Sequence, residues 1–168
     1  MYEISIVIPV RDEEKNISRL IKRIFSSLDN IHKSFEIIFV TDINKDNTIG
    51  LLDEFSKKHP NVKTLKLSNS FGQHVAVMAG LDHCQGNYIV IMDGDLQDYP
   101  EDIPLLYSKI IEGYDVVYAI KEAKNDSLFR NFSSRVFNSL MNNLSDFKIQ
   151  SNSSMFRIIS RKALIEIT

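Results

Sequence analysis

The stretch from Ile4 to Val10, ISIVIPV, decides the fold. It is a nearly continuous run of apolar, largely β-branched residues, the pattern of a strand buried on both faces, and it predicts a central strand of a parallel sheet. Beyond Asp12, the residues Ile17, Leu20, Ile21, Ile24, Phe25 and Leu28 recur at steps of three and four, which line one face of a helix. The alternation then repeats, with a strand over residues 35–40, a helix over 48–58 ending near Pro60, a strand over 62–67, a helix over 73–83 and a strand over 88–92. Pro100 suits the first turn of a helix whose Ile103, Leu106, Tyr107 and Ile110 share a face, and residues 115–119 form a further strand. Strands interleaved with helices in this way predict an α/β fold with a largely parallel sheet. After a polar loop at 121–126, the spacing of Phe129, Phe132, Val136, Leu140 and Leu144 predicts another helix.

The 168 residues fit a single domain with a real core, and 43% hydrophobic and 25% charged residues are ordinary for a globular chain. A formal charge of −2 provides no general basic field, so nucleic acid is not an expected partner. The single cysteine, Cys84, cannot form an internal disulfide, and the four histidines lack zinc-ligand spacing. A reducing, cytoplasmic setting is the expectation. No apolar run approaches the ~18 residues of a membrane span.

In open parallel sheets ligands bind beyond the carboxyl ends of the strands. Those positions are acidic here: Asp12, Glu13 and Glu14 after the first strand, Asp42 and Asp46 after the second, Asp93, Asp95 and Asp98 after the fourth. Favourable interaction with a helix dipole accounts equally well for Glu13, Glu14 and Asp46. The tract from Ile89 to Pro100, IVIMDGDLQDYP, asks for more. Asp93 and Asp95 flank Gly94, which frees the backbone to turn both carboxylates toward one point. Such a pair suits Mg²⁺ or Mn²⁺, hard ions that complete their shell with water and phosphate.

In order and spacing, IPVRDEEKNI, VTDINKDNT, LSNSFGQHVAVMAGLDHCQGNYIVIMDGDLQDYPEDIP and GYDVVYAIK resemble the successive motifs of family 2 glycosyltransferases, above all the dolichol-phosphate and undecaprenyl-phosphate sugar synthases. The resemblance implies the Rossmann-like GT-A fold. It also implies an inverting transfer of sugar from a nucleotide-diphosphate sugar to an acceptor, here a polyprenyl phosphate, in cell-envelope or surface-glycan synthesis. Carried over by position, Asp93 and Asp95 match the metal-binding D-x-D. Pro9, Val10 and Glu13 match the nucleotide-contact motif P-x-x-N-E, with Asp12 in place of Asn. Asp42, Gly72 and Asp93 are further nucleotide-sugar positions, and Gln97 and Arg157 are candidates for acceptor or phosphate contact.

Three further departures accompany the resemblance. Thr41 stands where the family has an acid, and Asn69 where it often has arginine. Met155 stands at the position of the family's candidate general base and cannot accept a proton. A phosphate acceptor, already anionic, tolerates that loss better than a sugar hydroxyl. The rival reading is a degenerate domain that binds a nucleotide or a partner and catalyses nothing. A nucleotidyltransferase ranks lower, because PVRDEEKN lacks the glycine-rich loop that it needs. The family domain continues past the F-R-x-x-x-R stretch, so the catalytic domain is expected to be incomplete at its C-terminus, with Ala163, Leu164 and Ile167 short of packing partners. A full-length form is expected at the cytoplasmic face of the membrane, attached through the missing segment.

Overall fold

A computed structural model of the chain describes residues 2–29, 31–120 and 153–167. The chain divides into two compact units, residues 1–118 with 155–168 and residues 119–154. Most of the second, including the helix expected after Leu128, lies outside the described residues.

The order in the described residues is β1 (Ile4–Val10), α1 (Glu14–Asp29), β2 (Phe35–Thr41), α2 (Thr48–Lys58), β3 (Val62–Lys66), α3 (Gln73–His83), β4 (Tyr88–Ile91), a single 3₁₀ turn (Pro100–Asp102), α4 (Ile103–Ile110), β5 (Val116–Ile120), β6 (Ser153–Ser160) and α5 (Arg161–Ile167). The strands form one sheet in the order β3-β2-β1-β4-β6-β5. Each residue of β1 is buried. The strand pairs in parallel with β2 along its whole length and with β4 through residues 4–7, which is the central position its sequence predicts. On the other edge of β4 the pairing turns antiparallel, with β6, whose Arg157 stands opposite Ile91.

Helix α1 buries Ile17, Leu20, Ile21, Ile24 and Leu28, the stripe read from their spacing. Phe25, partly exposed, meets Phe35 edge-on, with ring centroids 5.3 Å apart. Helix α3 lies against β1 and β2 with Gly80 at the contact, where a Cβ would overlap the side chain of Val7. Close approach of a helix to a sheet is a common reason for glycine within a helix. The segment after β4 is tied to α1 by the two-pronged Arg23–Glu101 pair, at 2.7 and 2.6 Å, and by Ser27 Oγ donating to the carbonyl of Pro100 at 2.6 Å.

Residues Ala163 and Leu164 correct an expectation. Both are buried, at 7% and 6% exposure, in a cluster that includes Val7, Ala76, Leu81, Ile89 and Ile159. They find their partners on α3 and the sheet rather than in a following segment. Anchoring explains this: the Arg161 guanidinium donates to the carbonyls of Gly86, at 2.9 and 2.6 Å, and Cys84, at 3.0 Å, and so pins the start of α5 beneath the sheet. Ile165 on the opposite face is exposed, and the side chain of Ile167 lies outside the described residues.

Where β1 and β2 begin, remote from their carboxyl ends, Glu36 is fully buried. It accepts hydrogen bonds from Ser5 Oγ at 2.7 Å, the Gln85 amide at 2.6 Å and Lys63 Nζ at 2.7 Å. Burial pushes its carboxyl up, but the donors from Lys63, Ser5 and Gln85 outweigh burial and hold it below the ordinary 4.5. Its contribution to stability is therefore complete above pH 4.5 and is lost as pH falls through the depressed value. Replacing Glu36 with Ala leaves Lys63, Ser5 and Gln85 without their acceptor and should lower the unfolding free energy by about 3 kcal/mol in urea titration at neutral pH. It should also flatten the acid limb of the stability curve. A loss below about 1 kcal/mol, the range of an exposed pair, would contradict this account of the buried network.

Candidate functional site

The carboxyl ends of β1, β2 and β4 open into a cleft of about 430 Å³ lined by Pro9, Val10, Arg11, Glu13, Val40, Asp42, Gly72, Gln73, Ala76, Asp93, Gly94 and Asp95. Parallel pairing causes the convergence, because all three strands point the same way and their following loops share one edge.

The loops after β1 and β2 hold each other. Asp12 sits at φ 55°, in the left-handed region that Asp and Asn tolerate better than most residues. Its amide donates to Asn44 Oδ1 at 2.8 Å and its Oδ1 accepts from the Lys45 amide at 2.6 Å. The helix starts are capped reciprocally. Asp46 accepts from the Glu14 amide at 3.0 Å and from the Thr48 amide and hydroxyl at 3.0 and 2.6 Å. Thr48 Oγ1 accepts from the Glu13 amide at 2.8 Å, and Glu14 accepts from the Asn47 amide at 3.1 Å. The bond from Thr48 Oγ1 leads in holding the Asp46 carboxyl below its ordinary range. Glu13, partly buried, accepts from Asn16 Nδ2 at 2.6 Å, so its carboxylate is oriented before any ligand arrives.

Thr41 does not line the cleft. It is buried, and its hydroxyl accepts from Asn44 Nδ2 at 2.6 Å, which joins it to the loop network. The neighbouring Asp42 does line the cleft, with a side chain only 11% exposed. Its Oδ1 is buried without a hydrogen-bond partner, and Arg11 Nε lies 3.8 Å from it.

After β4 the chain makes a tight acidic turn. Asp98 is fully buried and accepts the Asp93 amide at 2.9 Å, while Asp95 Oδ1 accepts the Gln97 amide at 2.9 Å. Leu96 takes a left-handed φ of 64°, which these hydrogen bonds hold in place. Gly94 lies against β1, where an added Cβ would come within 2.5 Å of Val10 Cγ1. Gln73, the first residue of α3, donates from Nε2 to Asp93 Oδ1 at 2.7 Å. Before it, Gly72 has φ 86°, a conformation suited to glycine.

The cleft gathers Pro9, Val10, Glu13, Asp42, Gly72, Asp93 and Asp95 from four separate stretches of sequence. It also contains Arg11 and Gln73, which the sequence reading does not single out, with Val40 and Ala76 as apolar floor. Gln97 is exposed and outside the lining. Arg157, on β6, has its guanidinium 5.9 Å from the centre of the Tyr118 ring and is also outside the lining. Met155 packs against the core cluster. His74 is exposed, and His83 Nδ1 lies 2.8 Å from the carbonyl of Ala79.

Residues 5–168 match the family described as Glycosyl transferase family 2. The chain belongs to this glycosyltransferase family. It is 38% identical over 164 residues to the uncharacterized glycosyltransferase YkcC of Bacillus subtilis, covering 97% of the chain and 51% of the relative. It is 36% identical over 163 residues to the uncharacterized glycosyltransferase sll0501 of Synechocystis, covering 96% and 51%. The chain thus spans about half the length of the curated relatives it matches. Glucosyl-3-phosphoglycerate synthase from Mycobacterium tuberculosis, solved with Mn²⁺, UDP-glucose and glycerol 3-phosphate, superposes with a TM-score of 0.65 at 19% identity, over 96% of this chain and 57% of that one. S. aureus TarS residues 1–349, in complex with UDP-GlcNAc, gives 0.58 at 22% identity, over 75% and 36%. The GT-A architecture of the family 2 glycosyltransferases is thereby the fold of this chain.

Among the described residues no three His, Cys, Asp or Glu side chains converge as a complete metal cage. Asp93 and Asp95 instead offer hard carboxylate oxygens on one wall of an open cleft. That donor set fits Mg²⁺ or Mn²⁺, ions commonly held by one or two carboxylates with phosphate and water filling the rest of the shell. Also among the described residues, no helix is long and apolar enough to cross a membrane.

Because a Cβ at Gly94 would come within 2.5 Å of Val10 Cγ1, Gly94→Ala should displace the acidic turn while the sheet stays folded. If the cleft takes a nucleoside diphosphate together with a divalent ion, the expected result is a roughly tenfold loss of Mn²⁺-dependent UDP affinity, of the size an overpacked contact produces. Calorimetric titration beside a thermal unfolding curve checks it; undiminished affinity would mean that the Gly94 contact does not set the carboxylate geometry.

Proposed function

We propose that this chain forms the donor-binding part of an inverting glycosyltransferase that moves a sugar from a nucleoside-diphosphate sugar to a polyprenyl phosphate. In this reading it serves cell-envelope or surface-glycan synthesis at the cytoplasmic face of the membrane. The observation that carries the proposal is the convergence of Asp93 and Asp95 with Glu13 and Asp42 in one cleft at the strand ends.

Each group has a task in this reading. Glu13 and Asp42 receive the nucleoside, over the apolar floor of Pro9, Val10, Val40 and Ala76. Gly72 keeps the start of α3 free of a side chain, where backbone amides and the helix dipole favour anionic groups. Gln73 holds one oxygen of Asp93 and so orients the carboxylate. Mg²⁺ or Mn²⁺, held by Asp93 and Asp95, would neutralise the charge that develops on the departing diphosphate.

Inversion requires one displacement. An acceptor oxygen bonds to the anomeric carbon while the bond to the diphosphate oxygen breaks and its electron pair leaves with the nucleoside diphosphate. Met155 has no site for a proton, which favours an acceptor that arrives deprotonated, as a lipid phosphate does. The same residue also favours the second reading, a domain that binds the nucleotide without catalysis.

Two measurements test the proposal. In calorimetry, Asp95→Asn should weaken UDP binding in Mn²⁺ at least tenfold while leaving the weaker metal-free binding unchanged, since one charged ligand is commonly worth about 1.5–3 kcal/mol, or roughly ten- to hundredfold. Transfer of radiolabelled sugar from UDP and GDP donors to undecaprenyl phosphate should require the divalent ion. Metal-dependent binding without transfer would select the non-catalytic reading, and unchanged affinity in Asp95→Asn would contradict the proposed site.

A further inference from the structure

One polar residue of the cleft owes its position to a rigid element. Gln73 is the first residue of α3, and the helix is seated on the sheet by buried Ala76 and Val77 and by Gly80, whose missing Cβ lets the backbone lie against Val7. The Ala76 amide donates to the carbonyl of Gly72 at 3.2 Å and closes the first turn around Gln73. The Gln73 side chain is thereby delivered to the cleft wall, where its Nε2 donates to Asp93 Oδ1 at 2.7 Å. An ionised carboxylate only accepts, so the amide must turn its nitrogen toward it.

Asp95 is committed in a similar way. Its Oδ1 accepts the Gln97 amide at 2.9 Å, while the Asp93 amide is anchored by buried Asp98. Each carboxylate of the pair thus keeps one oxygen on an internal donor, and an ion meets at most one more from each. The two commitments differ in kind. The donor to Asp95 is the backbone of the same turn, whereas the donor to Asp93 is a side chain from a different element, which a substitution can remove.

One-oxygen coordination discriminates among hard ions. Mg²⁺ demands a near-octahedral shell at about 2.1 Å and is commonly held by one or two carboxylates with phosphate and water, and Mn²⁺ accepts the same kind of oxygen shell. Ca²⁺ takes roughly six to eight oxygens at about 2.3–2.6 Å and often engages a carboxylate through both of its oxygens. To bind Ca²⁺ in that way Asp93 has to give up Gln73. Both residues line the cleft, so a bound nucleotide would shield their hydrogen bond from water and strengthen it. Resting on the nucleotide-sugar reading above, we propose that Gln73 is the ion-selecting residue of the cleft: by holding Asp93 Oδ1 it restricts Asp93 to one-oxygen coordination and favours Mg²⁺ and Mn²⁺ over Ca²⁺. It acts through Asp93 and is a positioning residue.

Calorimetry of UDP binding in Mg²⁺, Mn²⁺ and Ca²⁺ tests this on the wild-type chain, Gln73→Met and Gln73→Ala. Met keeps the length of the side chain without its donor, Ala removes both, and thermal unfolding confirms that each variant folds. The wild-type chain should bind UDP about tenfold more tightly in Mg²⁺ or Mn²⁺ than in Ca²⁺, the scale of one hydrogen bond to a charged group. In both variants the Ca²⁺-supported affinity should rise about fivefold or more while the Mg²⁺- and Mn²⁺-supported affinities stay within about threefold, so that the preference collapses. A residue that merely supports the fold would not act in this way, because its loss weakens binding in all three ions alike. Such equal losses would overturn the inference, as would a preference that survives in both variants or a wild-type chain that takes UDP equally well in Ca²⁺. A wild-type chain that binds no UDP, or binds it without regard to any divalent ion, contradicts the nucleotide-sugar reading itself.

Discussion

A strand buried on both faces and hydrogen-bonded along both edges is the constraint from which the rest of this structure follows. With all of β1 removed from water, its backbone groups need partners on each side, and β2 and β4 supply them in parallel. Parallel pairing demands crossover helices, which cover the faces of the sheet. It also brings the loops after β1, β2 and β4 to one edge. The cleft is thus a consequence of satisfying the backbone of β1, and the chemistry depends on which side chains follow the three strands.

Those side chains are held by short-range hydrogen bonding rather than by packing alone. Asp12 and Asn44 bridge two loops, Asp46 and Thr48 cap two helix starts at once, and Asp98 fixes the backbone of Asp93 from beneath. The left-handed residues Asp12 and Leu96 occur where these bonds are concentrated. Preorganisation of this kind suits a cleft that gathers several carboxylates among its lining residues. The opposite end of β1 and β2 carries a different network, centred on buried Glu36, that stabilises the sheet and faces no cleft residue.

Much of this arrangement is legible in the amino-acid sequence. The β-branched run of β1 and the three-four spacing of α1 have single physical readings, and the acids at strand ends follow the general rule for parallel sheets. Pro9, Glu13, Asp42, Gly72, Asp93 and Asp95 can be placed because their neighbours form motifs. Gln73 and Arg11 cannot, since neither residue type declares its direction; the only local signals are adjacency to Gly72 and to Pro9–Val10. The insertion of β6 between β4 and β5, antiparallel to β4, also leaves no local trace, because strand order is a tertiary property. The burial of Ala163 and Leu164 depends on the same long-range arrangement. Asp12 and Thr41 read as losses against the family pattern, but in the structure both bind the loop after β2.

The claim on which the account rests is that the paired carboxylates after β4 are the metal-binding end of a nucleotide-sugar cleft. Crystals of the chain grown with Mn²⁺ and UDP, measured at the manganese absorption edge, address it directly. The account predicts one strong anomalous peak within bonding distance of carboxylate oxygens from Asp93 and Asp95, with the diphosphate completing its shell. Bound UDP with no manganese peak there, or a peak held by other residues, would contradict it.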